Sequence, residues 1–171
     1  MSGVNFVFVN RKFRGDRWEA NSAEDGSFAI EGREESGILV GFSKDRNFAV
    51  ARKFETPPPA DLEVELQPVA RLTGRLIKQD GNPASNARVY FGDKVYAPNY
   101  GGFVMTDEDG RFEITEVCPN VDLKISSDHE SEDKYSQGKF LPINVTELAP
   151  GETRSLGDFK IQPRVKMTRN W

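Results

Sequence analysis

The side chains of this chain that could do chemistry are mostly carboxylates. Asp107-Glu108-Asp109-Gly110 opens like a cation loop. A helix–loop–helix calcium site spreads its oxygen ligands over about 12 residues and ends on a bidentate acidic side chain. Counted from Asp107, that last position falls on Cys118, and Phe112 and Ile114 alternate in between like strand residues. The related phrase Ala23-Glu24-Asp25-Gly26 has Ala where Asp107 stands. The acidic corners therefore read as structural turns, in which Gly supplies a positive φ and Asp bonds nearby amides. Asp25, Gly26, Asp80, Gly81, Asp109 and Gly110 are the turn residues so assigned. Asp128, His129, Glu130, Glu132 and Asp133 form the densest group of potential metal ligands. A charge run in a polar segment reads as a solvated loop, so no metal and no other cofactor is expected.

Nucleophilic chemistry is equally poorly supplied. Cys118 is the single cysteine, which excludes an intrachain disulfide and a multi-cysteine zinc site. Between Val117 and Pro119 it reads as a small packed apolar residue. His129 is the single histidine, and no G-x-S-x-G or H-E-x-x-H occurs. No catalytic residue is assigned, and the chain is read as a non-enzyme. Aromatic side chains are the better lead for binding. Tyr90, Phe91, Tyr96, Tyr100 and Phe103 crowd the segment YAPNYGGF, with Phe13 and Trp18 in the matching part of the first half. Rings beside Gly and Asn can stack on sugars or on a partner's side chains; rings filling a small β-core are the competing reading. Tyr96, Asn99, Tyr100, Phe103 and Trp18 are the candidate binding residues, and 93–102 and 128–138 the candidate contact loops.

The 171 residues carry 23 Lys and Arg against 27 Asp and Glu, a net charge of −4 with the signs interspersed. Nucleic-acid binding needs clustered positive charge, so no nucleic-acid partner is expected. No stretch approaches the roughly 20 apolar residues of a membrane-spanning helix. The opening MSGVNFVFVN lacks the basic region and the long apolar run of a signal peptide.

The elements that must hold these residues are announced by repetition. SAEDGSFAI (22–30) and TDEDGRFEI (106–114) share one frame at an offset of 84 residues, Gly26 to Gly110. DLEVELQPVARLTGR (61–75) echoes GDFKIQPRVKMTR (157–169), with Gln67-Pro68 matching Gln162-Pro163. Period-two alternation recurs: Leu62-Glu63-Val64-Glu65-Leu66 is the cleanest case, with Phe112-Glu113-Ile114, Val121–Ile125, Ile143–Val145 and Phe159–Ile161 behind it. Val4–Val9 and Gly37–Phe42 are short apolar runs of buried-strand type. Asp-Gly turns punctuate them. Thr56–Ala60, with three prolines, is a stiff extended connection, and 128–138 is a polar insertion with no counterpart in the first half. Regular short strands with turn signals imply an all-β fold of two tandem small Greek-key sandwiches: 4–68, 69–163, and a remainder 164–171 that starts a further repeat or completes the first module's sheet.

Residues 72–127 resemble the carboxypeptidase regulatory-like domain, of the transthyretin-like (prealbumin-like, Cna-B-type) β-sandwich group. Gly74, Asp80-Gly81, Pro83, Ala87, Val89, Thr106, Asp107, Asp109-Gly110 and Phe112 stand where that family's phrases place such residues, and Asn86 holds the place of a usual Gly. The likeness covers nearly all of 70–163 but enters the first half only at the strand before SAEDGSFAI. It implies a non-catalytic binding or spacer module of a larger exported or cell-surface protein, periplasmic or extracellular, with an unidentified protein or glycan partner. The alternative is an accessory domain of a peptidase-like hydrolase whose catalytic domain lies outside this chain. Some adhesin modules of this group carry a Lys–Asn isopeptide crosslink, for which Lys78 and Asn144 make the conceivable pair.

Overall fold

In the computed structural model, residues 2–10, 17–30, 36–93, 101–129, 138–139 and 143–161 are described, and every regular element among them is a strand. The first half holds β1 (Asn5–Asn10), β2 (Arg17–Asn21), β3 (Gly37–Phe42), β4 (Phe48–Phe54) and β5 (Gln67–Pro68). They form one antiparallel sheet in the order β2-β1-β3-β4-β5. The second half holds β6 (Ala70–Ile77), β7 (Arg88–Asp93), β8 (Gly101–Met105), β9 (Arg111–Val117), β10 (Leu123–His129), β11 (Gly138–Lys139), β12 (Ile143–Val145) and β13 (Thr153–Lys160). These make a sheet β11-β10-β7-β8, with β12 also on β10, and a sheet β13-β6-β9.

Alternation sets the layers. In β9, Phe112 and Ile114 are buried while Arg111 and Glu113 are exposed. They meet Leu72 and Leu76 of β6, and Val89, Leu123, Ile125 and Val145 of the facing sheet, in one core. Burying each such side chain contributes about 1.5–3 kcal/mol. Gly74 is required in β6 because a Cβ there would stand 2.5 Å from the Phe112 ring. In the first half Val4, Phe6, Phe8, Leu39 and Phe54 form a second core, with Trp18, Phe28, Ile30, Leu62, Val64 and Leu66 packed on it.

The halves share a hydrogen-bonding plan. The strand order β2-β1-β3-β4 matches β8-β7-β10-β12. At the first acidic corner Ala23 N–H bonds the Ser27 carbonyl and Gly26 N–H bonds Ala23; at the second, Asp107 N–H bonds Arg111 and Gly110 N–H bonds Asp107. Just before each corner, Ser22 exchanges backbone bonds with Val4 and Gly3, as Thr106 does with Ala87 and Asn86. Gly3 and Asn86 both have positive φ, at 72° and 56°. Asn tolerates that region better than other side-chain-bearing residues, which lets it stand at the place Gly3 has in the first half.

One expectation is corrected. The Leu62–Leu66 alternation implied a strand, and its sidedness holds: Leu62, Val64 and Leu66 are half-buried while Glu63 and Glu65 are exposed. Yet neither 62–66 nor 28–30 belongs to any strand. The second half gives the reason. There β6 lies between β9, its antiparallel neighbour, and β13, its parallel one. Among the described residues of the first half nothing occupies β6's place, so the flanking segments run extended with no ladder partner. Phe28 and Ile30 are accordingly only half-buried, where Phe112 and Ile114 are buried.

The halves meet without a loose linker. Val69 N–H bonds the Asn47 carbonyl and Gly151 N–H bonds the Pro68 carbonyl. The Asn120 amide donates to Gln67 Oε1 at 2.9 Å, and Arg46 lies 3.9 Å from Glu116. Val9, Ile38, Val40 and Ala49, on the other face of the first sheet, join the second half's core in one continuous cluster.

Candidate functional site

The acidic side chains are spent on their own turns. Asp25 Oδ1 accepts from the Ser27 N–H at 2.9 Å and from its hydroxyl at 2.7 Å. The hydroxyl bond, then the amide bond, holds its pKa below the usual aspartate value. Asp45 accepts from the Ser43 hydroxyl at 2.6 Å and from the Asn47 side-chain amide at 2.8 Å, which lower its pKa in that order. Asp80 is lowered by the Asn82 backbone N–H and then its side-chain amide, each at 2.9 Å. Glu152 is lowered first by Arg154, at 2.6 Å. None of these carboxyls is raised toward neutrality, as a general acid would need.

The second corner distributes this work differently from the sequence assignment. Its turn acceptor is Asp107, which takes the N–H of Asp109 at 3.0 Å and of Arg111 at 2.8 Å. Asp109 lends its backbone carbonyl to Arg75 Nε at 2.8 Å and its carboxylate to Arg111 at 3.4 Å. Beside it a shallow hollow of about 570 Å³ is lined by Thr73, Arg75, Met105, Asp107, Glu113 and Asp158, among others. Its lining charges are paired across the surface, Arg75 with Asp158, and Glu113 with Arg71 just outside the hollow. Among the described residues no group of three His, Cys, Asp or Glu side chains is arranged to hold a metal. Of the polar cluster after Ser127, the residues 130–137 lie outside the described residues. Burial pushes the Cys118 thiol up to about 12, far from a reactive thiolate. Asn144, half of the conceivable crosslink, is exposed and sits on β12 opposite Lys124.

The two candidate binding rings among the described residues, Trp18 and Phe103, do not share a surface. Trp18 points inward, its ring 6.0 Å from Phe8 and part of the first core. Phe103 points outward from β8, the edge of its sheet, and is 54% exposed. Tyr90 lies opposite it at 6.0 Å and the Arg88 guanidinium stands 5.3 Å over its ring. Met105, 46% exposed, continues this face. Tyr96, Asn99 and Tyr100 lie outside the described residues. Sequence reasoning missed Arg88 and Met105, which alternation along β7 and β8 could have placed beside Phe103.

A larger apolar feature marks the first half. Two hollows run between residues 26–30 and 57–66. One, about 550 Å³, has Val4 and Phe6 on its floor, and the other, about 430 Å³, has Phe8, Leu39 and Phe54. Phe28 and Leu62 border both. Both lie between segments whose sequence counterparts in the second half flank β6.

No family model and no curated protein matches the chain. Among solved structures it is similar to the minor pilin GBS52 of Streptococcus agalactiae (14% identity, 99% of this chain and 87% of that one, TM-score 0.46). It is also similar to the shaft pilin SpaA of Lactobacillus rhamnosus GG (9% identity, 98% and 94%, TM-score 0.41). A third likeness is to the Bacillus anthracis TIE protein (17% identity, 94% of this chain, TM-score 0.39), of which the chain spans only 31%. The architecture of the chain itself is all-β sandwich. No helix among the described residues is long and apolar enough to cross a membrane.

Proposed function

We propose that the chain is a stiff, non-catalytic spacer of two copies of one sandwich module, 4–68 and 69–163, within a larger exported or cell-surface protein. The observation that carries this reading is the joint. Gln67, Pro68 and Val69 are bonded to Asn120, Gly151 and Asn47, and apolar packing continues through it. A flexible linker would leave these backbone groups to water. The outward face Arg88, Tyr90, Phe103 and Met105 is the surface such a spacer presents to a protein or glycan. Residual dipolar couplings test the reading: one alignment tensor must fit amides of both modules. Two independent tensors would overturn it.

A further inference from the structure

We propose that β8 pairs edge to edge with β8 of a second copy of this chain, making a two-fold dimer that joins spacers side by side. The inference rests on the outward Phe103 face of the proposed function and names its protein partner. β8 (Gly101–Met105, GGFVM) ends the sheet β11-β10-β7-β8, and among the described residues no strand pairs with its outer edge. Gly101, Gly102, Phe103 and Met105 are exposed. A strand edge is ordinarily guarded by charge, Pro or a bulge, and β8 has none of these. The backbone decides which groups face out. Thr106 N–H bonds the Ala87 carbonyl and the Thr106 carbonyl accepts from Asn86 N–H, and such pairs alternate along an antiparallel ladder. Gly102 and Val104 therefore turn their amides and carbonyls to β7, while Gly101, Phe103 and Met105 turn theirs outward.

This edge is complementary to itself. In an antiparallel pair centred on Phe103, Phe103 faces the second copy's Phe103, Gly102 faces its Val104 and Gly101 faces its Met105. Every outward N–H then meets an outward carbonyl, as in β-strand addition to an open sheet edge. Side chains agree with that register. Tyr90 lies beside Phe103 with ring centroids 6.0 Å apart and Arg88 stands over the same ring, so pairing continues the aromatic row across the two-fold axis. Gly101 pairs with Gly92 on β7, which leaves a notch on the outward face, and the second copy's Met105 projects into it. Methionine is an adaptable filling for such a gap. A foreign strand has no reason to match a notch and a projecting side chain that sit on one strand, whereas a two-fold contact uses the same patch on both copies and closes at two. Charge is compatible as well. β8 is uncharged, and like charges directly opposite would destabilise a strand pair. The register sets Arg88 four strand spacings, about 19 Å, from the second copy's Lys124, beyond the ~8 Å screening length at physiological salt. A five-residue edge falls short of the about 1,200 Å² of a stable interface, so pairing needs concentrated protein or copies anchored close together.

The test uses the full chain. Sedimentation velocity should show a monomer of 19.2 kDa in dilute solution passing to twice that mass, and no further, as concentration rises toward millimolar. Amide exchange should follow the alternation, with Gly102 and Val104 protected at every concentration and Gly101, Phe103 and Met105 only in concentrated protein. Phe103→Pro removes an outward N–H that β7 does not use, and prolines are tolerated on edge strands; it should abolish the dimer. Phe103→Ser keeps that N–H and should weaken dimerisation about tenfold through the lost ring pair. Melts in dilute solution check the fold of both variants, and Phe103→Ser decides the matter if the Pro chain is unfolded. A chain monomeric at millimolar concentration, outward amides protected even when dilute, a dimer indifferent to both variants, or assembly beyond two would each overturn the proposal. So would a glycan or a foreign peptide strand that binds the β8 edge of a chain that stays monomeric. The alignment tensors that test the spacer reading are measured on dilute monomer, so either reading can fail without the other.

Discussion

Ser22 and Thr106 hold the same place in two different sheets. Each hydroxyl accepts a backbone N–H from the residue just before the neighbouring strand, from Val4 ahead of β1 at 3.0 Å and from Ala87 ahead of β7 at 2.9 Å. Thr106 also donates to the Ala84 carbonyl at 2.6 Å. Both residues are buried, so losing a hydroxyl leaves a polar group dry. Thr106→Val should cost about 2–3 kcal/mol, since a donor and an acceptor lose their partner, and Ser22→Ala about 1–2 kcal/mol. Urea titrations with an unchanged slope would measure both. A cost below about 1 kcal/mol at Thr106 would mean that its two bonds add little to stability.

The acidic corners offer a sharper contrast between backbone strain and crowding. Gly110 has φ 74° and a Cβ there would stand 2.4 Å from the Leu76 carbonyl oxygen; Gly81 has φ 88° and open space around it. Gly81→Ala should therefore cost only the left-handed backbone term, about 1–2 kcal/mol. Gly110→Ala must also push β6 away from the corner and should exceed about 3 kcal/mol. Thermal melts showing both variants equally stable would refute the crowding argument.

What is legible in the sequence follows from the range of each cause. Gly26, Gly81 and Gly110 are readable because a positive φ is a local demand that few residue types meet. The alternation of Leu62–Leu66 is readable too, but only as to side: whether a strand forms depends on a neighbour elsewhere, and no described residue of the first half pairs with it. Trp18 and Phe103 look alike as aromatic residues near loops. Their opposite directions depend on the pairings Phe8 with Trp18 and Tyr90 with Phe103, which no short window contains. Asp107 is read in the sequence as a rejected metal ligand and as part of a family phrase, not as the turn acceptor that holds two amides. Those bonds, to residues two and four positions on, are ones that an Asp-Gly pattern does not distinguish from bonds made by Asp109.

Acid should loosen the turns in a defined window. Asp25, Asp45, Asp80 and Glu152 all have folded-state pKa values below their ordinary ones. Such groups bind fewer protons when folded, so the stability they add is fully present above the unfolded-state pKa and is lost as pH falls through the folded one. Melting temperature should be flat from neutrality to about pH 5 and fall below about pH 4. Asp45→Asn, which cannot titrate at that position, should flatten that fall. The same acid slope in the Asp45→Asn chain would show that the Ser43 and Asn47 bonds are not its source.

Cys118 gives a direct readout of the core that both halves share. Its side chain is fully buried and its thiol is pushed up to about 12, so an aromatic disulfide reagent at mildly alkaline pH should label the native chain only as fast as the core opens. In denaturant, labelling should finish within mixing time. Arg46→Ala, which removes a surface contact to Glu116, should leave the native rate nearly unchanged, because exposed ion pairs contribute little. Rapid native labelling would mean that the chain around Val117–Asn120 opens locally, and a rigid joint could not be built on it.

Phe103 decides whether the chain carries a contact surface on β8. With 54% of its surface exposed at a sheet edge, Phe103→Ser removes little buried area and should change stability by no more than about 0.5 kcal/mol. The ring is held in place by Tyr90 and Arg88, which lowers the entropy lost when a partner docks against it. If this face is a contact surface, Phe103→Ser should weaken a captured glycan or protein by at least about tenfold, and Arg88→Ala by less. Trp18→Phe, a substitution in the first core, should leave binding untouched. Binding that survives Phe103→Ser but fails with Trp18→Phe would move the contact surface to the first half of the chain.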